Sequence, residues 1–378
     1  MTVQYLTIEA KHRQGLRYLA SLADFSCRPG EAVHPDIVLS DPNLSLYCLD
    51  DATQQAIFVE LPSSVNLATA PFVYLTQYEQ AQRLLAIPYD TFQRLAHALP
   101  TFQHLIVIYM SGRSGSTLLS HIFNELDTTC SLAEPDVATQ FVHLRSADGR
   151  RDTELRDLLD CTVRFLFKPT ARKTPTTYAL KLRNEGLRVM DLFQATFPHA
   201  KNLFLYRDAV GFVTSFARIL RRVGIPEYMP MDDYFTFFSA LINRDFTHMV
   251  TYLDSGTNQV SIPQHLTLWW LAIMEWYLAQ SARGIPILGI RYADLERHRE
   301  QVLTAIFTYC GLPPTKVPET LSVFARDSQA GTALARDNPA EGNQLRLSAE
   351  QIEEITRIVQ RHLGIKDPNF IAPGTLRV

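Results

Sequence analysis

Residues 104–123 read HLIVIYMSGRSGSTLLSHIF, and the fold turns on how this stretch is parsed. HLIVIYM (104–110) is a continuous β-prone run without polar alternation, the pattern of a strand buried on both faces. A helix is expected from Thr117 to about Leu126. Between them lies SGRSGST, which is more small and polar residues than a plain turn requires. Gly112 and Gly115 allow backbone amides to approach a ligand closely, and the helix that follows presents free N–H groups. Ser116 and Thr117 add hydroxyl groups, and Arg113 adds a planar fork of donors. Such a loop suits a phosphate. It lacks the lysine that precedes Ser/Thr in G-x-x-x-x-G-K-[ST], which argues against an ordinary ATP or GTP hydrolase.

Outward from the loop, strands and helices alternate. YALKL (178–182), NLFLYR (202–207) and IPILGIRY (285–292) read as strands. RVMDLFQATF (188–197), AVGFVTSFARILRR (209–222), 299–310 and 348–362 read as helices, with two aromatic-rich helices within 231–283. This alternation predicts a three-layer α/β domain around a central parallel sheet. A polar stretch, 325–344, precedes the last helix, and structureless loops of that length are usually functional or disordered. Residues 1–100 have a different texture. Short apolar runs such as SLYCLD and QAIFVEL are punctuated by Pro, Asn, Asp and Ser, and a helix within 76–98 is interrupted by Pro88. The expected organisation is an N-terminal α+β accessory domain over 1–100, without a catalytic pattern, followed by the α/β domain over 101–378.

At 378 residues and 46% hydrophobic, with 20% charged residues, the chain can bury a large core. A net charge of −3 leaves no global signal for nucleic acid or a membrane surface, so anion binding must be local. Five scattered cysteines, none paired at metal-ligand spacing, fit a reducing compartment. The N-terminus has no apolar signal region, and LTLWWLAIMEWYLA (266–279) is too short to span a bilayer and contains Glu275. A cytoplasmic protein without a membrane span is expected.

LYRDAVGFVTSFARIL (205–220) places Arg207 at the carboxyl edge of a strand and Ser215 two turns into the next helix. Ligands of open α/β sheets bind at such edges. Arg207 and Ser215 are therefore candidates for a second anion of the same ligand, while pairing of Arg207 with Asp208 or with a carbonyl is the plainer alternative.

Together SGRSGSTLL and YRDAVGFVTSF resemble the 5′-phosphosulfate loop and the 3′-phosphate motif of the sulfotransferase family, and GIRYADLERHRE followed by YCGLP resembles its third conserved stretch. The resemblance covers about 104–345 and implies a P-loop-like fold and the donor 3′-phosphoadenosine 5′-phosphosulfate, with adenosine 3′,5′-bisphosphate as product and no metal. It implies Gly112, Arg113, Ser114, Gly115, Ser116, Thr117, Arg207 and Ser215 as donor-binding residues, with Tyr292 near the adenine and Ser328 and Gln329 of RDSQAG reaching the donor. The histidine-using cytosolic branch carries a Lys-Thr-His stretch, which is absent here. The branches that use a glutamate about twenty residues after the loop, including protein-tyrosine sulfotransferases, match Glu134 in SLAEPDVATQF. Pro135 is expected to hold Glu134 extended.

By the same resemblance Lys181 stabilises the bridging oxygen, with Lys173 as a competitor. Catalysis is then expected from Glu134, Arg113 and Lys181. His121 and His143 read better as packed or solvated side chains. Trp269, Trp270, Met274, Trp276 and Tyr277 fit a buried helix, and Tyr234, Phe235, Phe237 and Phe238 fit either packing or an acceptor pocket. The implied reaction is in-line sulfuryl transfer to a hydroxyl of a small molecule, lipid or peptide. A P-loop small-molecule kinase and a non-catalytic nucleotide-binding module of the same fold are the alternatives.

Overall fold

The computed structural model describes residues 2–13, 18–169, 175–222, 224–234, 236, 247–332, 335 and 346–378. Lys173, Phe235, Phe237 and Phe238 lie outside the described residues. The chain forms two compact units, Met1–Val107 with Ser120–Ala200, and Ile108–Leu119 with Lys201–Val378.

In the first unit, β1 (Val3–Lys11), β2 (Phe25–Val33), β3 (Leu44–Asp50), β4 (Gln55–Glu60) and β5 (Arg83–Pro88) form an antiparallel sheet in the order β2-β1-β5-β4-β3. Phe25, Tyr47, Ile57, Val59 and Leu84 build one core cluster of this unit. The helix expected within 76–98 is two helices, α1 (Val73–Gln80) and α2 (Tyr89–Ala96), separated by β5. The reason is pairing: after Arg83 the run LLAIP is apolar, and the strand is hydrogen-bonded to β1 on one side and β4 on the other. Tertiary pairing overrides local helix preference here.

β6 (His104–Met110) is the strand expected from HLIVIYM, and Leu105–Met110 are buried. It leads through the Gly/Ser loop into α3 (Ser116–Asn124). Next come β7 (Thr129–Ala133), α4 (Asp152–Leu166), β8 (Thr177–Lys181) and α5 (Met190–Thr196). β7 and β8 are parallel, with Ala133 opposite Lys181. Phe165 of α4 stacks on Phe92 of α2 at 4.9 Å and meets Phe58 of β4 edge-on at 5.1 Å, so α2 and α4 cover one face of the antiparallel sheet.

The second unit contains β9 (Lys201–Tyr206), α6 (Ala209–Arg222), the short antiparallel pair β10 (Tyr228–Pro230) and β11 (Gln259–Ser261), α7 (Ile262–Ala282), β12 (Ile287–Arg291), α8 (Arg299–Cys310) and α9 (Ala349–Arg361). Ser261 and Gln264 form a capping box at the start of α7, and Ser348 and Gln351 form one at α9. α7 is largely apolar and mostly buried, as expected for 266–279, with Glu275 half-buried and Ala279 exposed. Tyr277 stacks on Phe204 of β9 at 4.4 Å. β9 and β12 are parallel. The whole parallel sheet has the order β12-β9-β6-β8-β7 and is flanked by helices, the α/β architecture anticipated from the sequence. Among the described residues, no helix is long and apolar enough to cross a membrane.

Candidate active site

The loop after β6 winds tightly. Gly112, Arg113 and Gly115 all have left-handed φ values, 89°, 53° and 82°. At Gly115 both conformation and space exclude a side chain, because a Cβ would meet the Tyr292 ring at 3.2 Å and Leu295 at 3.1 Å. Ser111 anchors the loop's start, with its N–H on the Leu205 carbonyl (2.9 Å) and its Oγ accepting from the Arg207 N–H (3.2 Å). Ser114 is fully buried, and its Oγ has no protein partner among the described residues. A buried, unmatched hydroxyl inside a glycine-wound loop fits an anion-binding cradle, since a buried polar atom without a partner is costly.

Arg113 links this loop to the second motif. Its Nε donates to Ser215 Oγ on α6 (3.2 Å), and its Nη1 donates to Gln329 Oε1. Two of the stretches that the sequence singled out separately are thus joined by one guanidinium. Gln329, rather than Ser328, is the residue of RDSQAG that meets it. The turn that carries Gln329 is held by Asp327 Oδ1, which accepts the Gln329 N–H (3.0 Å).

Arg207 stands just past β9, its guanidinium 4.0 Å from the Tyr292 ring centroid. Burial lowers its pKa, opposed by the tyrosine and by the charges of Glu296 and Asp208. Asp208 does not take the role of ion-pair partner. Its Oδ1 accepts the Gly211 N–H (2.7 Å) at the start of α6. The Arg207 carbonyl accepts from Trp270 Nε1 (2.9 Å), which fixes the main chain independently of the guanidinium. Tyr292 therefore packs against both the loop and Arg207. Its hydroxyl donates to Glu296.

The first unit carries the other candidates. Lys181, at the end of β8, pairs with Glu134, and both side chains are buried, 1% and 9% exposed. Lys181 Nζ also lies 5.5 Å from the Phe72 ring. The pairing follows from register: the Glu134 N–H extends the β7–β8 ladder onto the Lys181 carbonyl (2.8 Å). Glu134 is not extended as Pro135 suggested; its φ is 57°. The ladder bond, and the bond from the Tyr74 N–H to the Glu134 carbonyl (3.4 Å), hold this turn against the preference of a pre-proline residue.

Behind the pair is a buried charge cluster that was not visible in the sequence. Asp136, fully buried, accepts from Arg13 Nη2 (2.6 Å), Arg183 Nε (2.7 Å), Arg183 Nη2 (2.9 Å) and the Ala20 N–H (2.8 Å). Both guanidiniums lie against Tyr74, at 4.9 Å and 3.9 Å. Burial lowers the Arg183 pKa, but the combined effect of Asp136, Tyr74, Glu134 and Glu185 outweighs it and leaves the pKa raised. Glu185 completes the set. It is buried, its Oε2 has no partner among the described residues, and burial raises its pKa. Three carboxyl groups, Glu134, Asp136 and Glu185, thus share this region with three basic side chains, Lys181, Arg13 and Arg183. Arg13, Phe72 and Tyr74 come from the region read as accessory and without a catalytic pattern.

His121 and His143 are half-buried, and burial with the nearby Arg188 lowers the His143 pKa. Tyr234 is fully buried, its ring 5.2 Å from that of His265.

No family model matches the chain, and no curated protein matches it. Several solved structures are similar to it at low identity. A sulfotransferase from Alicyclobacillus acidocaldarius is 14% identical, with 70% of this chain and 94% of that one covered and a TM-score of 0.40. Sulfotransferase STF9 from Mycobacterium avium is 14% identical over 63% and 72% of the two chains, with a TM-score of 0.37. The sulfotransferase domain from the curacin biosynthetic pathway is 16% identical over 69% and 98%, with a TM-score of 0.36.

Proposed function

We propose that this protein is a sulfotransferase that moves a sulfuryl group from 3′-phosphoadenosine 5′-phosphosulfate to a hydroxyl acceptor. The observation that carries the reading is the Arg113 bridge: one side chain of the phosphate-type loop bonds Ser215, and Arg207 lies on a ring that also packs the loop. A ligand with anions at both ends of a nucleoside needs two such sites. The loop amides, Ser114, Ser116 and Thr117 bind the 5′ anion. Arg207 and Ser215 bind the 3′-phosphate, with Tyr292 beside the base.

When bound, the donor supplies an activated sulfuryl group on a phosphate leaving group. Arg113, oriented by Ser215 and Gln329, stabilises negative charge that grows at the loop. Glu134, held beside Lys181, takes the acceptor's proton. Lys181 then supplies positive charge to the bridging oxygen. The buried Asp136 cluster holds the segment 134–136 and Arg183 in place. The residues present fit this donor without a P-loop lysine.

The test is a thermal-shift titration of the full chain with adenosine 3′,5′-bisphosphate, run against ATP with magnesium. Stabilisation by the bisphosphate alone, followed by sulfate transfer to a panel of alcohols and phenols, supports the reading. Stabilisation only by ATP with magnesium points to a small-molecule kinase. Bisphosphate binding without transfer to any acceptor points to a nucleotide-binding module.

A further inference from the structure

Away from these groups, α2 and α4 bring three different metal-ligand side chains together. His97, which caps α2, places Nε2 3.1 Å from Asp157 Oδ1 and 3.7 Å from Cys161 Sγ. Asp157 and Cys161 are one helical turn apart on α4 and so share a face. One ligand atom from each of the three lies within 4.8 Å of the others, and this is the one such group of three among the described residues. His97 and Asp157 are exposed, with side-chain exposures of 52% and 43%, whereas Cys161 is buried beneath them.

A His–Asp contact on a surface is by itself an ordinary ion pair. The thiol underneath changes the reading. In a tetrahedral zinc site, bond lengths of about 2.0–2.1 Å to nitrogen and oxygen and about 2.3 Å to sulfur put N and O about 3.4 Å apart and N and S about 3.6 Å apart. The observed 3.1 and 3.7 Å are close to both spacings. The second carboxylate oxygen of Asp157 is already oriented by Gln93 Nε2 (2.7 Å), the kind of outer hydrogen bond that aligns metal-binding carboxylates. Burial, followed by the charges of Asp157 and Asp160, pushes the Cys161 thiol up to about 12, so it is protonated and chemically quiet in the absence of a cation. An ion entering from the His97 side finds one nitrogen, one oxygen and one sulfur ligand, with a fourth position facing water.

We propose that His97, Asp157 and Cys161 form a binding site for a zinc-type divalent cation that clamps α2 to α4. Binding releases the Cys161 proton to solvent and leaves a thiolate, and no redox change is involved. The ion stabilises the packing of the two helices over the antiparallel sheet, in which Phe92 and Phe165 already take part. The site is separate from the sulfuryl-transfer residues and does not depend on that assignment.

Cobalt(II) is the probe, added to the full chain in a non-thiol reductant. One equivalent is expected to produce a thiolate-to-cobalt charge-transfer band in the near ultraviolet and strong visible bands of tetrahedral cobalt, both abolished by excess zinc(II). H97A alters an exposed residue, so its fold can be confirmed by circular dichroism, and it is expected to lose the bands. C161S should lose them as well, and D157N should weaken cobalt binding about tenfold or more. Zinc should raise the melting temperature of the wild-type chain by a few degrees and leave that of H97A unchanged. Absence of the bands in the folded wild-type chain, or bands that persist in H97A or C161S, overturns the proposal. If C161S fails to fold, H97A alone decides.

Discussion

Arg207 gives the sharpest test of the donor assignment. Its guanidinium lies on Tyr292 and is partly withdrawn from water, so a phosphate it meets is screened less than at an open surface. A charge-assisted contact of this kind is worth about 2–4 kcal/mol, or about a 30- to 700-fold change in affinity. Arg207→Ala should weaken adenosine 3′,5′-bisphosphate by that factor. Adenosine 5′-phosphate, which lacks the 3′ group, should change by no more than about threefold, since its anion belongs to the loop. Arg207→Lys keeps the charge but loses the planar stack on the ring, so a smaller loss of about 0.5–1 kcal/mol relative to wild type is expected. The main chain should survive either substitution, because Trp270 bonds to the Arg207 carbonyl and not to its side chain. Isothermal titration of both ligands against both variants measures all of this. Equal losses for the bisphosphate and the monophosphate would refute the assignment of Arg207 to the 3′-phosphate.

Arg113→Ala should lower turnover far more than donor affinity, because the loop amides still bind the ground state; a normal kcat with only a raised donor KM would show that Arg113 merely binds. Glu134→Gln should keep donor binding and cut kcat for an aliphatic alcohol about 10²–10⁴-fold, with a smaller loss for an acidic phenol; retained activity there, with loss on substitution of His121 or His143, would move the base to a histidine. His265 has its pKa lowered by burial to about 3, so below pH 6.5 the unfolded chain binds a proton that the folded chain refuses. Stability should therefore fall as pH drops from about 6.5 toward 3, with a limiting slope of about 1.4 kcal/mol per unit, reduced because the ring is partly accessible. Denaturation of His265→Gln across that range should show a flatter profile.

Much of the α/β region was legible because local signals agree there. HLIVIYM, AVGFVTSFARILRR and the segment 299–310 fold as their patterns read, and Gly311, at φ 70°, stops α8. β7 was missed because Thr129, Cys130 and Ser131 look like loop residues. The strand is secured from outside by Asn124, whose Oδ1 accepts the Ser131 N–H (2.7 Å) and whose Nδ2 donates to the Ser131 carbonyl (2.9 Å). The candidate site shows the same split. Glu134 and Lys181 were each readable, yet their pairing is a product of strand register. Asp136 and Arg183 were hidden because Arg13 reaches Asp136 across 123 residues of sequence, a contact that no local pattern encodes.

Backbone strain offers a further measure of whether the loop is shaped for function. Among the described residues only Gln54, Arg113 and Glu134 are non-glycine with left-handed φ, and two of these are proposed catalytic residues. Gln54 sits in an ordinary β3–β4 hairpin, where such a conformation is expected. Arg113 has no such excuse, since glycines flank the loop and a third would relax it. A left-handed L-residue costs about 1–2 kcal/mol, while glycine loses about 0.5–1 kcal/mol more backbone entropy on folding. Arg113→Gly and Arg113→Ala both delete the bonds to Ser215 and Gln329, so those losses cancel in the comparison. What remains is the backbone: the glycine variant should be the more stable by about 0.5–1 kcal/mol, and both should be equally inactive. Urea denaturation of the pair measures the difference directly. If the alanine variant is as stable as the glycine variant, the loop holds no strain at Arg113 and its winding is not maintained for the sake of that side chain.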